Sequence, residues 1–217
     1  MVNDTLDQLP ALCPLDFFSM SADLLFAKEI VPRKFFRASH ELPDTSFMLG
    51  EEHFAKVSMG WNEEGILINV EVEKSFEECF FPQVADGDSV ELFFDTRDLK
   101  TTGFCTRFCH HFVFLPQEVQ GIKAQEMTRF RTEDKHELCD SGLLKSDCDF
   151  SSSSYVLKIF ISSDCLHGYD TKTFQRLGFT YRINRYKGQP QHFAVSSKYY
   201  TIAEQPSLWS SLELVKK

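Results

Sequence analysis

The chain has 217 residues, a length that suits one sizeable domain whose core needs no covalent staples. Its formal net charge of −9 excludes a general nucleic-acid binder, which depends on a surplus of lysine and arginine. No run approaches the roughly 18 apolar residues of a membrane-spanning helix.

The first 45 residues are mixed in character and broken by Pro10, Pro14, Pro32 and Pro43. They are expected to form an N-terminal arm lying on a main domain of residues 46–217, with a short helix within residues 21–30. The opening stretch carries acids where a secretory signal needs basic residues, and it lacks a continuous apolar segment. A cytoplasmic location follows as an expectation. With it go reduced thiols at Cys13, Cys79, Cys105, Cys109, Cys139, Cys148 and Cys165, an odd and irregularly spaced set.

From Phe54 the hydrophobic period becomes two. Ala55, Val57, Met59 and Trp61 alternate with polar or small residues, residues 62–65 supply a turn, and Ile66, Ile68, Val70 and Val72 resume the alternation. That is the signature of a β-hairpin with one buried face. Val90, Leu92 and Phe94 continue it, as do His110, Phe112 and Phe114, then Tyr155, Leu157, Ile159 and Ile161, then Phe179, Tyr181 and Ile183. Short strands joined by turns, with 22 phenylalanines to fill pleated surfaces, predict an all-β antiparallel sandwich. Val57, Ile68, Val70, Leu92, Phe112, Ile159 and Ile183 are the expected core. The charged stretch 117–150 and the polar tract 151–154 read as interruptions.

The run GDSVELFFDTR at residues 87–97 resembles the signature of family-9 carbohydrate-binding modules and their DOMON-like relatives. The upstream hairpin AKVSMGWNEEGILINVEVE, the strands YVLKIFIS and GFTYRINRY, and the closing PSLWSSLEL are similar to that family in the same order, from about residue 50 to 216. The central stretch resembles a bacterial subgroup of it. The resemblance implies a β-sandwich whose concave face grips sugars without catalysis. Characterised members clamp the sugar between two tryptophans, and the matching positions here hold Ala85 and Ala203. Trp61 and Trp209 fall on strand faces and are expected in the core.

The polar half of such a site is better kept. Glu91 matches the family's sugar-binding glutamate, while Val113 takes the place of a sugar-binding arginine. Strand alternation puts Glu91, His111, Arg182 and Asn184 on the face opposite the apolar one, where they would line a solvent-facing groove. A sugar also needs an aromatic platform, for which Tyr199 and Phe81 are the nearest candidates. On this reading Glu91 faces solvent in the groove, and its removal weakens sugar binding while leaving stability nearly unchanged; the alternative is a merely solvated strand carboxylate.

A second constellation suits zinc: Cys105, Cys109 and His111, followed by His136 and Cys139, offer thiolate and imidazole donors. The spacing fits no standard finger, and buried packing accounts for the same residues. Cys109 beside His111 also has the composition of a nucleophilic pair. Asp86 and Asp88 flank Gly87 as calcium ligands or as a turn. The expected function is therefore non-catalytic binding of carbohydrate or a polar glycan fragment, with no nucleic-acid or membrane partner. The alternatives are an interaction or structural protein on a sandwich that has lost sugar binding, binding an unknown protein partner, and a metal-binding protein using the Cys/His set.

Overall fold

The computed structural model describes residues 20–28 and 38–216. Among the described residues eleven strands follow one another: β1 (Ser21–Phe26), β2 (Ala55–Asn62), β3 (Gly65–Val72), β4 (Ser89–Asp95), β5 (Cys109–Val119), β6 (Ile122–Glu126), β7 (Leu144–Phe150), β8 (Tyr155–Ser162), β9 (Arg176–Asn184), β10 (Gln191–His192) and β11 (Ser210–Val215). A single-turn helix, α1 (Ser46–Leu49), precedes β2.

The hydrogen-bonded order is β6-β5-β4-β9-β11-β1-β2-β3-β8-β7, with β10 added on β9. The two halves of this ribbon, on either side of β1, pack against each other across one core. Val57, Ile68, Val70, Leu157 and Ile159 from one half meet Val90, Leu92, Phe94, Phe112, Phe179 and Ile183 from the other in one buried cluster. All seven residues expected in the core are buried there. Trp61 and Trp209 are also buried, Trp209 with its indole N–H donating to the Ile202 carbonyl. Burying two or more such faces is the main favourable term for a fold of this kind.

Three features depart from expectation. The ladders are antiparallel except at β1, which pairs in parallel with both β11 and β2. Residues 21–26, within the stretch read as a short helix, form that strand; pairing on both sides outweighs local propensity. The charged stretch 117–150 contains β6 and β7. Both are edge strands that bury only part of one face, so their alternation is faint in the sequence.

The hairpin turn at residues 62–65 is built as expected. Asn62 Oδ1 accepts from the Glu64 and Gly65 amides, and Gly65 sits at φ +148°. A Cβ there would lie 2.1 Å from the Ile161 carbonyl oxygen, so glycine is required by close approach of β8 as well as by φ.

Candidate functional site

β4 runs through the middle of one layer, between β5 and β9. Its core-facing residues are Val90, Leu92 and Phe94, so Glu91 and Phe93 point to the outer face. In register, Glu91 lies between Val113 of β5 and Arg182 of β9. Glu91 Oε1 accepts from Arg182 Nε at 2.6 Å and from Asn184 Nδ2 at 2.7 Å, and Glu91 Oε2 meets His111 Nε2 at 2.9 Å. The four polar residues expected to share a face do converge.

They do not form an open groove. Glu91 is 1% exposed, because two loops cover this outer face. On one side Phe93, Cys105, Cys109, Val195, Ile202 and Trp209 make a second apolar cluster. On the other, Cys79, Val84, Val113 and Leu115 make a third. Burial pushes the Glu91 carboxyl up, but the His111 and Arg182 hydrogen bonds and the charge of Arg182 outweigh it and hold the group at about 2. Glu91 is thus a buried, ionised anchor rather than a solvated carboxylate. Loop burial of an outward strand face has no counterpart in the alternation of β4 itself.

Between the two small clusters lies a cleft of about 720 Å³. Glu91, His111 and Arg182 form part of its lining, with Pro82–Asp86 residues on one wall and residues 197–204 on another. Tyr199 and Tyr200 line it and are 69% and 41% exposed. Met127 and Arg129 also contribute. Both follow β6 in a segment without regular structure, where no alternation marks which side chains face the cleft.

Two expected ligand residues fall outside the lining. Asn184 is buried behind Glu91, its amide donating to Ser89 Oγ and Glu91 Oε1, so it positions the carboxylate. Phe81 packs against the third cluster with Val84 and Val113, because residues 82–86 continue past it to form the wall.

The expected zinc ligands are dispersed. Cys105 and Cys109 are buried with Phe93 and Trp209, and His111 is turned to Glu91 and stacked on Phe93 at 4.4 Å between ring centroids. His136 instead meets Glu126, and Cys139 is disulfide-bonded to Cys165. That bond also replaces two of the expected free thiols; Cys13 lies outside the described residues. The neighbouring Cys105 and burial push the Cys109 thiol far up, which opposes a nucleophilic thiolate. Asp88 accepts from the amides of Glu77, Glu78 and Tyr186, so it clamps loop backbone where calcium ligation was the other option.

No protein-family model and no curated protein matches the chain. Among solved structures, it is similar to a family-9 carbohydrate-binding module from Caldicellulosiruptor kristjanssonii in complex with cellotriose, at 12% identity over 91% of this chain and 95% of that one, with a TM-score of 0.59. The glucose complex of a family-9 module from that organism gives a TM-score of 0.61, at 12% identity over 91% and 97% of the two chains. A candidate carbohydrate-binding protein from Bacteroides uniformis gives 0.50, at 10% identity over 74% and 78%. The chain has the family-9 carbohydrate-binding-module fold. On this family-9-like sandwich, Ala85 and Ala203, the positions that the sequence resemblance matches to the clamp tryptophans, belong to the two loops that wall the cleft.

Proposed function

We propose that this chain is a non-catalytic module that binds a carbohydrate or a polar glycan fragment in the cleft between residues 82–86 and 197–204. The observation that carries the reading is the joint presence, in one cleft of about 720 Å³, of a preorganised polar floor and exposed tyrosines. A sugar offers hydroxyls that need fixed partners and a CH-rich face that needs an aromatic surface. Arg182 spends its Nε on Glu91, which orients the guanidinium and leaves its Nη groups as donors to the cleft. Tyr199 and Tyr200 supply platform area in place of the missing indoles. The family-9 structures with cellotriose and glucose support the ligand class.

A second reading, an interaction protein that has lost sugar binding, draws on two observations. Ala85 and Ala203 offer only methyl groups at the clamp positions. Phe47 and Met48 project from α1 with 94% and 67% exposure, an apolar pair suited to a protein partner.

Glycan-array screening of the intact chain, followed by calorimetry, decides between them. A glycan should bind, and Tyr199→Ala and Arg182→Ala should each weaken it by about 1–3 kcal/mol. Absence of binding at millimolar glycan transfers the case to the interaction reading.

A further inference from the structure

The inner face of the same layer carries a second polar cluster that the cleft does not use. His110 of β5 and Glu126 of β6 both point into the core, where Ala124 and Phe112 are their neighbours, and His136 enters from the loop after β6. Glu126 Oε1 lies 2.9 Å from His110 Nδ1 and 2.9 Å from His136 Nε2. One ligand atom from each of the three residues lies within 4.8 Å of the other two. From this arrangement we infer a zinc-type divalent-metal site whose ligands are His110, His136 and Glu126.

The hydrogen bonds around His136 carry the argument. Its Nδ1 lies 2.6 Å from the Arg107 carbonyl oxygen, an acceptor, while its Nε2 faces the Glu126 carboxylate, also an acceptor. A neutral imidazole has one N–H and serves only one of them. With the proton on Nδ1, the Nε2 lone pair is aimed at the carboxylate, and a metal ion or a second proton must lie between them. Ligating histidines characteristically donate the second ring N–H to a backbone carbonyl or carboxylate, which is the relation of His136 to Arg107.

The carboxylate is held in the same manner. Glu126 Oε2 accepts from the Cys139 amide at 2.7 Å, and Oε1 accepts from Thr128 Oγ1 at 2.7 Å. The His110 ring is fixed by stacking on Phe112, 4° from parallel at 5.5 Å. Its Nε2 is buried without a hydrogen-bond partner. Zinc at about 2.0–2.2 Å from N and O donors needs those donors roughly 3.3 Å apart, so each 2.9 Å contact opens by a few tenths of an ångström. Two imidazoles with one carboxylate suit zinc, whereas calcium and magnesium take oxygen ligands. A solvent molecule would complete four-coordination. An ion here ties edge strand β6 and the 127–140 loop to β5, so it would act on stability independently of what the cleft binds.

The rival occupant of the gap is a proton, giving an imidazolium–carboxylate pair. Untagged, full-length protein stripped with chelator and titrated with Zn2+ by calorimetry, and with Co2+ by absorption, separates the two. Binding of one Zn2+ per chain with a dissociation constant below about 1 µM is expected, together with the visible bands of four-coordinate Co2+ and a rise in melting temperature. His136→Gln, at the less buried edge of the cluster, should weaken Zn2+ at least about 100-fold and abolish the Co2+ bands. No saturable wild-type binding up to about 100 µM Zn2+ overturns the site. Unchanged affinity in folded His136→Gln overturns it too, by placing the ion elsewhere. The wild-type titrations decide the matter even if His136→Gln fails to fold.

Discussion

Arg182 lies directly across the β4–β9 ladder from Glu91 and donates its Nε to that carboxylate at 2.6 Å. The cross-strand register makes the pair, and the covering loops remove it from water. A carboxylate at 1% exposure is tolerable only with full partnership, which Arg182, Asn184 and His111 provide.

Glu91→Ala should therefore destabilise the fold by about 2–4 kcal/mol, since it leaves a partly buried guanidinium and amide without their acceptor. Urea denaturation followed by tryptophan fluorescence measures this directly. A midpoint indistinguishable from wild type would return Glu91 to the status of a solvated strand residue.

Acid should expose the same pair. The folded pKa of Glu91, about 2, lies below its ordinary value of 4.5. A depressed carboxylate contributes stability that is present above the unfolded pKa and is lost as pH falls from about 4.5 towards 2. The contribution is on the order of 3 kcal/mol. Stability measured from pH 6 to pH 2 should fall less steeply in Glu91→Gln than in wild type, and the difference isolates this group from the other carboxylates. Parallel curves would show that Glu91 does not carry the effect.

At the β2–β3 turn, Gly65→Ala should cost more than the roughly 1 kcal/mol typical of an exposed glycine replacement, because the new Cβ meets the Ile161 carbonyl oxygen at 2.1 Å on rigid strand backbone. The expected result is a melting temperature lowered by several degrees, or insoluble protein. Gly121→Ala, at the β5–β6 turn, has φ +83° but nothing within 4 Å of the added atom, and should be the milder of the two. Reversal of that order would contradict the turn geometry.

Thiol chemistry should be slow and selective. Burial pushes Cys79 up to about 11 and Cys148 up to about 12, and thiolate is the reactive form. Both should label slowly with iodoacetamide at pH 8 in native protein and rapidly in urea. Peptide mapping under non-reducing conditions should recover Cys139 joined to Cys165. Rapid native labelling of Cys79 would mean that the loop over it opens readily.

Alternation by itself determined the strands whose inner faces are continuously apolar, the buried set from Val57 to Ile183, and the shared outward face of Glu91, His111, Arg182 and Asn184. Period two is local: each residue's side is settled by its neighbours in the chain. Edge strands β6 and β7 escaped because an edge needs little apolar surface. The rest was decided by contacts between residues far apart in sequence. Loop residues 193–209 return over β4 and turn an outward glutamate into a buried one, leaving a cleft beside it. His136 reaches Glu126 and Cys139 reaches Cys165, so a set read from its spacing as one metal cluster is divided among separate surroundings. Spacing records which donors a loop carries; only the folded path of that loop selects the partners they meet.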